Sequence, residues 1–343
     1  MTFTTKYFYT IGSILFTGYF LVISTSLFNP LLSAFIVALA LKPLATKLET
    51  IKIPRLSSTL LSVLLFMLIF LGVAIFFSLQ VRNLDFEVQS FKVNFNGLPG
   101  KIQDWVTELL GVSSEQQVSL LKETFNTLLK NSVSFVNHTL FITTSLLTSF
   151  VIFILSLFFF LYYRSFLVSF LYKTVKSSYH SKLTNILRKI ESVVNSYMLG
   201  LSLIILIVAV LNSVGLVALG IENAVLFGVM AAVLTLIPYI GILLGALLPA
   251  LFALFTKDSL WYPFGVLLIF MFIQFLEGNF LTPNIVGRQV SINPFAAILA
   301  LIIGAMVLGL IGVMFALPVL AIIKVICDDI VTLKPIGYLI GKP

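Results

Sequence analysis

Two stretches decide the fold: IENAVLFGVMAAVLTLIPYIGILLGALLPALFALF, residues 221–255, and NPFAAILALIIGAMVLGLIGVMFALPVLAIIKVIC, residues 293–327. Each is 35 residues long, about 52 Å as a straight helix, against roughly 30 Å of bilayer hydrocarbon. A segment of that length must tilt steeply, break or fold back. The breakers stand at the midpoints, Pro238-Tyr239-Ile240-Gly241 in the first and Gly309-Leu310-Ile311-Gly312 in the second. Pro238 has no N–H and interrupts the helix ladder, and the glycines admit close backbone approach. Two readings stay open, a kinked helix and a helical hairpin with its tip inside the protein. The hairpin is the expectation, because non-helical backbone at membrane depth is tolerated where it is buried in protein or faces water.

The rest of the chain fits a membrane solvent. Of 343 residues, 59% are hydrophobic and 10% charged, whereas soluble domains carry about 25% charged residues. Segments near 10–28, 30–41 with its neighbours, 57–80, 140–163, 196–219 and 260–277 approach the ~20 apolar residues that cross a bilayer. Residues 10–28 read as a retained helix, separated from the next by a break at Asn29-Pro30. The expected class is an all-α integral membrane protein, a polytopic helical bundle with two helical hairpins. The net charge of +8 does not point to nucleic acid, since no basic stripe with interleaved aromatics lies outside the apolar runs. The single cysteine, Cys327, has no disulfide partner and reads as packing.

Charge also sets an expected orientation. The loop 42–56 carries Lys42, Lys47, Lys52 and Arg55, and residues 164–190 carry Arg164, Lys173, Lys176, Lys182, Arg188 and Lys189, so both belong in the cytoplasm by the positive-inside rule. Residues 81–139 mix both signs and hold amphipathic stretches, Leu98, Ile102, Trp105 and Leu109, then Val118, Leu121, Phe125 and Leu128. They read as external, with both termini cytoplasmic. With two hairpins, units 196–255 and 258–327 follow one plan in opposite orientations, the inverted repeat of secondary transporters. The expected division is 1–80, N-terminal transmembrane helices; 81–139, an external amphipathic insertion; 140–195, a transmembrane helix and a cytoplasmic amphipathic helix; 196–327, a transport core; and 328–343, a cytoplasmic tail.

Sequence chemistry points away from catalysis. Gly337-Tyr338-Leu339-Ile340-Gly341-Lys342 is one residue short of a phosphate-binding loop and is followed by Pro343. His138 and His180 stand without ligand partners, and no serine lies in a hydrolase motif. No enzyme activity, cofactor or metal is expected. The candidate substrate-binding residues are Asn212, Thr235, Pro238, Tyr239, Gly241, Gly309 and Gly312, all in or beside the breaks. Helix–helix hydrogen bonding stands as the alternative for Asn212 and Thr235. Glu277 ends the 260–277 run near a membrane face, and Gln274, Glu277, Asn279 and Arg288 form a candidate gate, with Glu277 and Arg288 as an ion pair. A solvated loop at 278–292 is the other reading of that gate. Neutral hydrogen-bonding groups suit a small polar solute, and coupling to H+ or Na+ remains open.

Pro238-Tyr239-Ile240-Gly241, then Glu277-Gly278-Asn279-Phe280-Leu281-Thr282-Pro283-Asn284-Ile285-Val286-Gly287-Arg288, then Asn293-Pro294, and Gly309-Leu310-Ile311-Gly312 through Pro318 follow one another in a specific order and spacing. Together they resemble the autoinducer-2 exporter (AI-2E) family, the PerM-like permeases. The resemblance implies a multi-pass permease of the bacterial inner membrane, assembled as a homopentamer, whose subunits each work by an elevator-like movement of two hairpins. Some members resemble exporters of the quorum-sensing furanone autoinducer-2, and others resemble Na+(Li+)/H+ antiporters. It maps the substrate region onto the two tips. Two positions depart from the pattern, Ile242 after Gly241 where many relatives have proline and Leu201 after Gly200 where many have glutamine. The expected function is a secondary transporter exporting a small polar metabolite, with autoinducer-2 as the candidate. Its partners are the lipid bilayer and a small-molecule substrate, with no nucleic acid. The alternatives are an Na+(Li+)/H+ antiporter and a non-transporting membrane scaffold.

Overall fold

A computed structural model describes residues 12–13, 18, 23–80, 147–238, 240–257, 259–285 and 292–342. The amphipathic stretches expected at 98–109 and 118–128, most of the 10–28 run and His138 lie outside the described residues. Helix α1 spans Thr25–Thr50 and α2 spans Arg55–Gln80. The break expected at Asn29-Pro30 is absent, because α1 runs straight through Pro30 and Pro43. Pro30 comes only five residues after the helix begins, so it removes a single ladder bond. The basic loop expected at 42–56 shrinks to residues 51–54, with Lys52 at φ +66° and Lys42 and Lys47 on α1 itself. Small side chains bring three helices together, as Ala34, Ala38 and Ala45 of α1 pack on Val63 of α2 and on Leu157 and Leu161 of α3, Leu147–Tyr162. At Tyr163 the chain bends by 66° into α4, Arg164–Thr174.

Helix α5, His180–Ala218, joins the expected amphipathic helix and the following span into one rod. It ends in a Schellman motif: Gly220 sits at φ +72°, its N–H bonds the Val217 carbonyl at 2.9 Å, and the Ile221 N–H bonds Leu216 at 3.0 Å. That turn feeds α6, Ala224–Leu234, and α7, Ile240–Thr256. The kinked-helix alternative fails here. Lys257 Nζ, beyond the end of α7, lies 3.1 Å from Glu222 Oε1, before the start of α6, so the two ends of the segment meet on one face and its middle forms a tip. Leu216, Phe227, Ala231, Ala250, Ala253, Val266 and Phe270 form the core that joins this hairpin to α5 and to α8, Trp261–Leu276.

The second long segment, α9, Pro294–Asp329, is also a hairpin. Gly309 stands at φ 62°, ψ −139°, a conformation open to glycine and strained for other residues. In a straight helix, residues 304 and 312 would be about 12 Å apart along the axis, yet a Cβ on Gly304 would meet the Gly312 carbonyl oxygen at 2.5 Å. The arms therefore cross at these glycines. The base of this hairpin is held by α10, Lys334–Ile340. Asn293 caps α9 by accepting from Ala296 N–H at 2.8 Å and donates through Nδ2 to the carbonyls of Leu339 and Gly341. Ion pairs Lys42 with Glu191, Arg164 with Glu49, and Lys189 with Asp329 link α1, α3–α4, α5 and α9 on the face carrying the basic residues, while Lys257 and Glu222 lie at the other end of α5. The hairpins thus enter from opposite faces.

Among the described residues five helices are long and apolar enough to span a membrane, or six when the bent α3–α4 pair is counted as one span. Their outward faces are hydrocarbon, with Leu68, Phe272 and Met306 at 65%, 62% and 76% exposure, which is stable only against lipid or another apolar surface. The fold is an all-α polytopic membrane bundle.

Candidate functional site

Glycines govern how near α5, α6 and α7 come to one another. A Cβ on Gly228 would lie 2.5 Å from the Ser213 backbone nitrogen of α5, and one on Gly245 would lie 2.9 Å from Ala231 Cβ. A Cβ on Gly241 would run into the carbonyl oxygen of Leu234, so only glycine lets α7 start beside the end of α6. Between them, the Leu236 and Ile237 N–H groups bond back three residues to the Val233 and Leu234 carbonyls, and Pro238 cannot continue the ladder. The result is a compact tip pressed toward α5 and α8.

Behind this tip is a cavity of about 20 Å³, lined by Val208 and Asn212 of α5, Thr235 at the end of α6, Gly241 and Gly245 of α7, and Gln274 and Glu277 at the end of α8. Ala231, Ile242, Phe270 and Ile273 complete its apolar wall. Such a volume holds about one water or one small ion. Thr235 Oγ1 donates to the Ala232 carbonyl at 2.7 Å, which leaves its lone pairs free to accept. Asn212 is 2% exposed. Its Oδ1 and Glu277 Oε2 are buried and meet no hydrogen-bond partner among the described residues. An orphaned buried polar atom costs roughly 1–3 kcal/mol, and both belong to residues that line one cavity, an arrangement able to accept from a cation, a proton or a donor-rich solute.

The expected site residues divide. Asn212, Thr235 and Gly241 meet at the cavity, and two residues placed at a separate gate, Gln274 and Glu277, meet them there. Pro238 shapes the turn without lining the cavity, and Gly309 and Gly312 form the second tip without lining it. Asn279 is exposed, its Nδ2 bonded to the Phe275 carbonyl at 2.9 Å. Tyr239 and Arg288 lie outside the described residues. The expectation that Glu277 closes its span at a membrane face, with a loop from 278, is corrected. A π-helical turn, Glu277–Leu281, and a last helical turn, Thr282–Ile285, carry α8 onward, leaving Glu277 about 12 Å before the helix end. The wider turn accommodates Pro283, and Thr282 N–H takes the Glu277 carbonyl. Phe270, Ile273, Gln274 and Glu277 fall at i, i+3, i+4 and i+7, a spacing that puts them on one helix face. Gly228 and Gly245 gave no comparable signal. Among the described residues no group of three His, Cys, Asp or Glu gathers as for a metal ion.

Comparison with known proteins follows the same line. A family model described as AI-2E family transporter matches residues 11–332. YueF of Bacillus subtilis (strain 168), provisionally named a transport protein, is 28% identical over 331 residues, covering 92% of this chain and 87% of its own. YrrI of the same organism, also provisionally named a transport protein, is 25% identical over 333 residues, covering 94% of this chain and 91% of its own. The AI-2 transport protein TqsA of Escherichia coli (strain K12) is 29% identical over 114 residues, covering 33% of each chain.

Proposed function

We propose, because the chain belongs to the AI-2E family of transporters, that it is a secondary transporter moving a small polar metabolite across the bacterial inner membrane. The observation that carries the reading is the pair of unpartnered buried oxygens, Asn212 Oδ1 and Glu277 Oε2, on one cavity behind an interrupted helix. Interrupted helices near the midplane are where secondary transporters bind substrate and coupling ions. An ionisable group inside a span is costly and is commonly kept for function, and Glu277 now sits inside one.

The cavity of about 20 Å³ is far smaller than a metabolite, so it suits the coupling ion, H+ or Na+. A solute enters when the first hairpin withdraws, which fits an elevator-like motion of the 196–327 core. By the positive-inside rule, the face bearing Lys42, Arg164 and Lys189 is cytoplasmic and the Lys257–Glu222 pair lies outside. The family resemblance supplies the homopentamer and autoinducer-2 as the solute to test first. The second reading, an Na+(Li+)/H+ antiporter, gains from the buried carboxylate.

Flux in vesicles separates the two. Saturable movement of labelled autoinducer-2, accelerated by an imposed H+ or Na+ gradient, supports the exporter. A sodium-dependent pH change without solute replaces it with the antiporter. Neither signal would refute both.

A further inference from the structure

A second, larger feature is unrelated to the tips. A groove of about 920 Å³ opens between α1, α4, the first turns of α5 and the last turns of α9. Phe35, Leu187, Ile322 and Ile326 are among its apolar walls, and Lys42, Arg164 and Arg188 lie along it against a single carboxylate, Glu191. We propose that this groove binds an anionic phospholipid, with an acyl chain along the apolar wall and the phosphate at the cations.

Three observations choose that occupant. The first is charge: Lys42 is paired with Glu191 and Arg164 with Glu49, but Arg188 is exposed and makes no ion pair among the described residues. An arginine fork is the side chain best matched to a phosphate. The second is depth. Helix α4 turns 66° from the span before it, buries no side chain, and exposes Phe166 at 69% and Phe170 at 59% beside Lys173. An amphipathic helix of that kind lies at the lipid headgroup level, which sets the mouth of the groove where phosphates are. The third is charge balance: three cations stand along the groove against one carboxylate, an excess that an anionic headgroup neutralises. Basic pockets between spans on the positive side of a membrane protein are a known form of headgroup site.

The test uses the full-length protein, delipidated in detergent, with phosphatidylglycerol or phosphatidylcholine added back. Native mass spectrometry is expected to show phosphatidylglycerol retained in preference, and its addition to raise Tm in a concentration-dependent way. Arg188→Ala is expected to cut the preference roughly tenfold, as for one lost charge-assisted contact. Ile326→Trp, which sets a larger side chain into the groove where the acyl chain would lie, is expected to reduce the retained lipid. Because Ile326→Trp perturbs a packed wall, the exposed Arg188→Ala serves as the independent variant, with Tm of the lipid-free proteins confirming the fold. Equal retention of the two lipids by the wild type, or unchanged retention in both variants, would overturn the proposal. A change of oligomeric mass in Ile326→Trp with no lipid bound to the wild type would overturn it in favour of a subunit interface.

Discussion

Replacing Asn212 with leucine sets stability against transport. Asn212 is 2% exposed on α5, and its Oδ1 is buried without a hydrogen-bond partner among the described residues. Leucine branches at the same carbon, and the adjoining cavity of about 20 Å³ takes up part of its extra volume. Removing an orphaned buried acceptor returns about 1–3 kcal/mol, which offsets a cost of about 1–3 kcal/mol for the added volume, so Asn212→Leu is expected to melt no lower than wild type in the same detergent. If Asn212 holds the proposed ion or solute, the same change removes one of its ligands. A hydrogen bond to a charged group contributes about 1.5–3 kcal/mol, so apparent affinity is expected to fall roughly 10- to 150-fold. The assay is thermal melting beside concentration-dependent flux in vesicles. Asn195 provides the control, because its Oδ1 on α5 is likewise buried and unpartnered among the described residues but it does not line the cavity. Asn195→Leu is expected to leave flux unchanged. A lower melting temperature for Asn212→Leu with wild-type flux would refute the reasoning and make Asn212 a helix–helix contact.

Other outcomes follow from the hairpins. Gly309→Ala forces a Cβ into a glycine conformation at φ 62° and is expected to cost about 1–3 kcal/mol in thermal unfolding, whereas Gly278→Ala, with open space around its Cβ position, is expected to cost less than half of that. Cysteines at 222 and 257, in a Cys327→Ala background, are expected to join through a short bis-maleimide, since the native side chains meet at 3.1 Å; no crosslink would contradict the first hairpin. Single cysteines at 257 and 173 are expected to label from opposite sides of intact cells, and labelling from one side would contradict the orientation drawn from the basic residues.

Much of the fold was legible because hydrocarbon thickness is a fixed ruler. Two 35-residue runs cannot cross it straight, and Pro238 and Gly309 mark where they turn. Pro30 misled because proline breaks a helix by position: near a helix start it removes one bond and the helix continues. Glu277 misled for a related reason. Gly278, Asn279 and Pro283 read as loop formers, but a π turn absorbs them and keeps α8 helical to Ile285. That shift moved Glu277 and Gln274 from a separate gate onto the cavity holding Asn212 and Thr235. Nor was the convergence of four helices readable from local pattern, since it depends on Gly228 against Ser213 and Gly245 against Ala231, contacts between distant residues.

The most direct measurement is gradient-driven flux in vesicles carrying wild type or Glu277→Gln, each first shown to be folded by its melting transition. The amide keeps the shape of the carboxylate and removes its charge and its capacity to carry a proton. If Glu277 binds the coupling ion, the wild type responds to an imposed H+ or Na+ gradient and Glu277→Gln, still folded, does not. Equal gradient-driven flux in both proteins would contradict the assignment of this cavity as the coupling site.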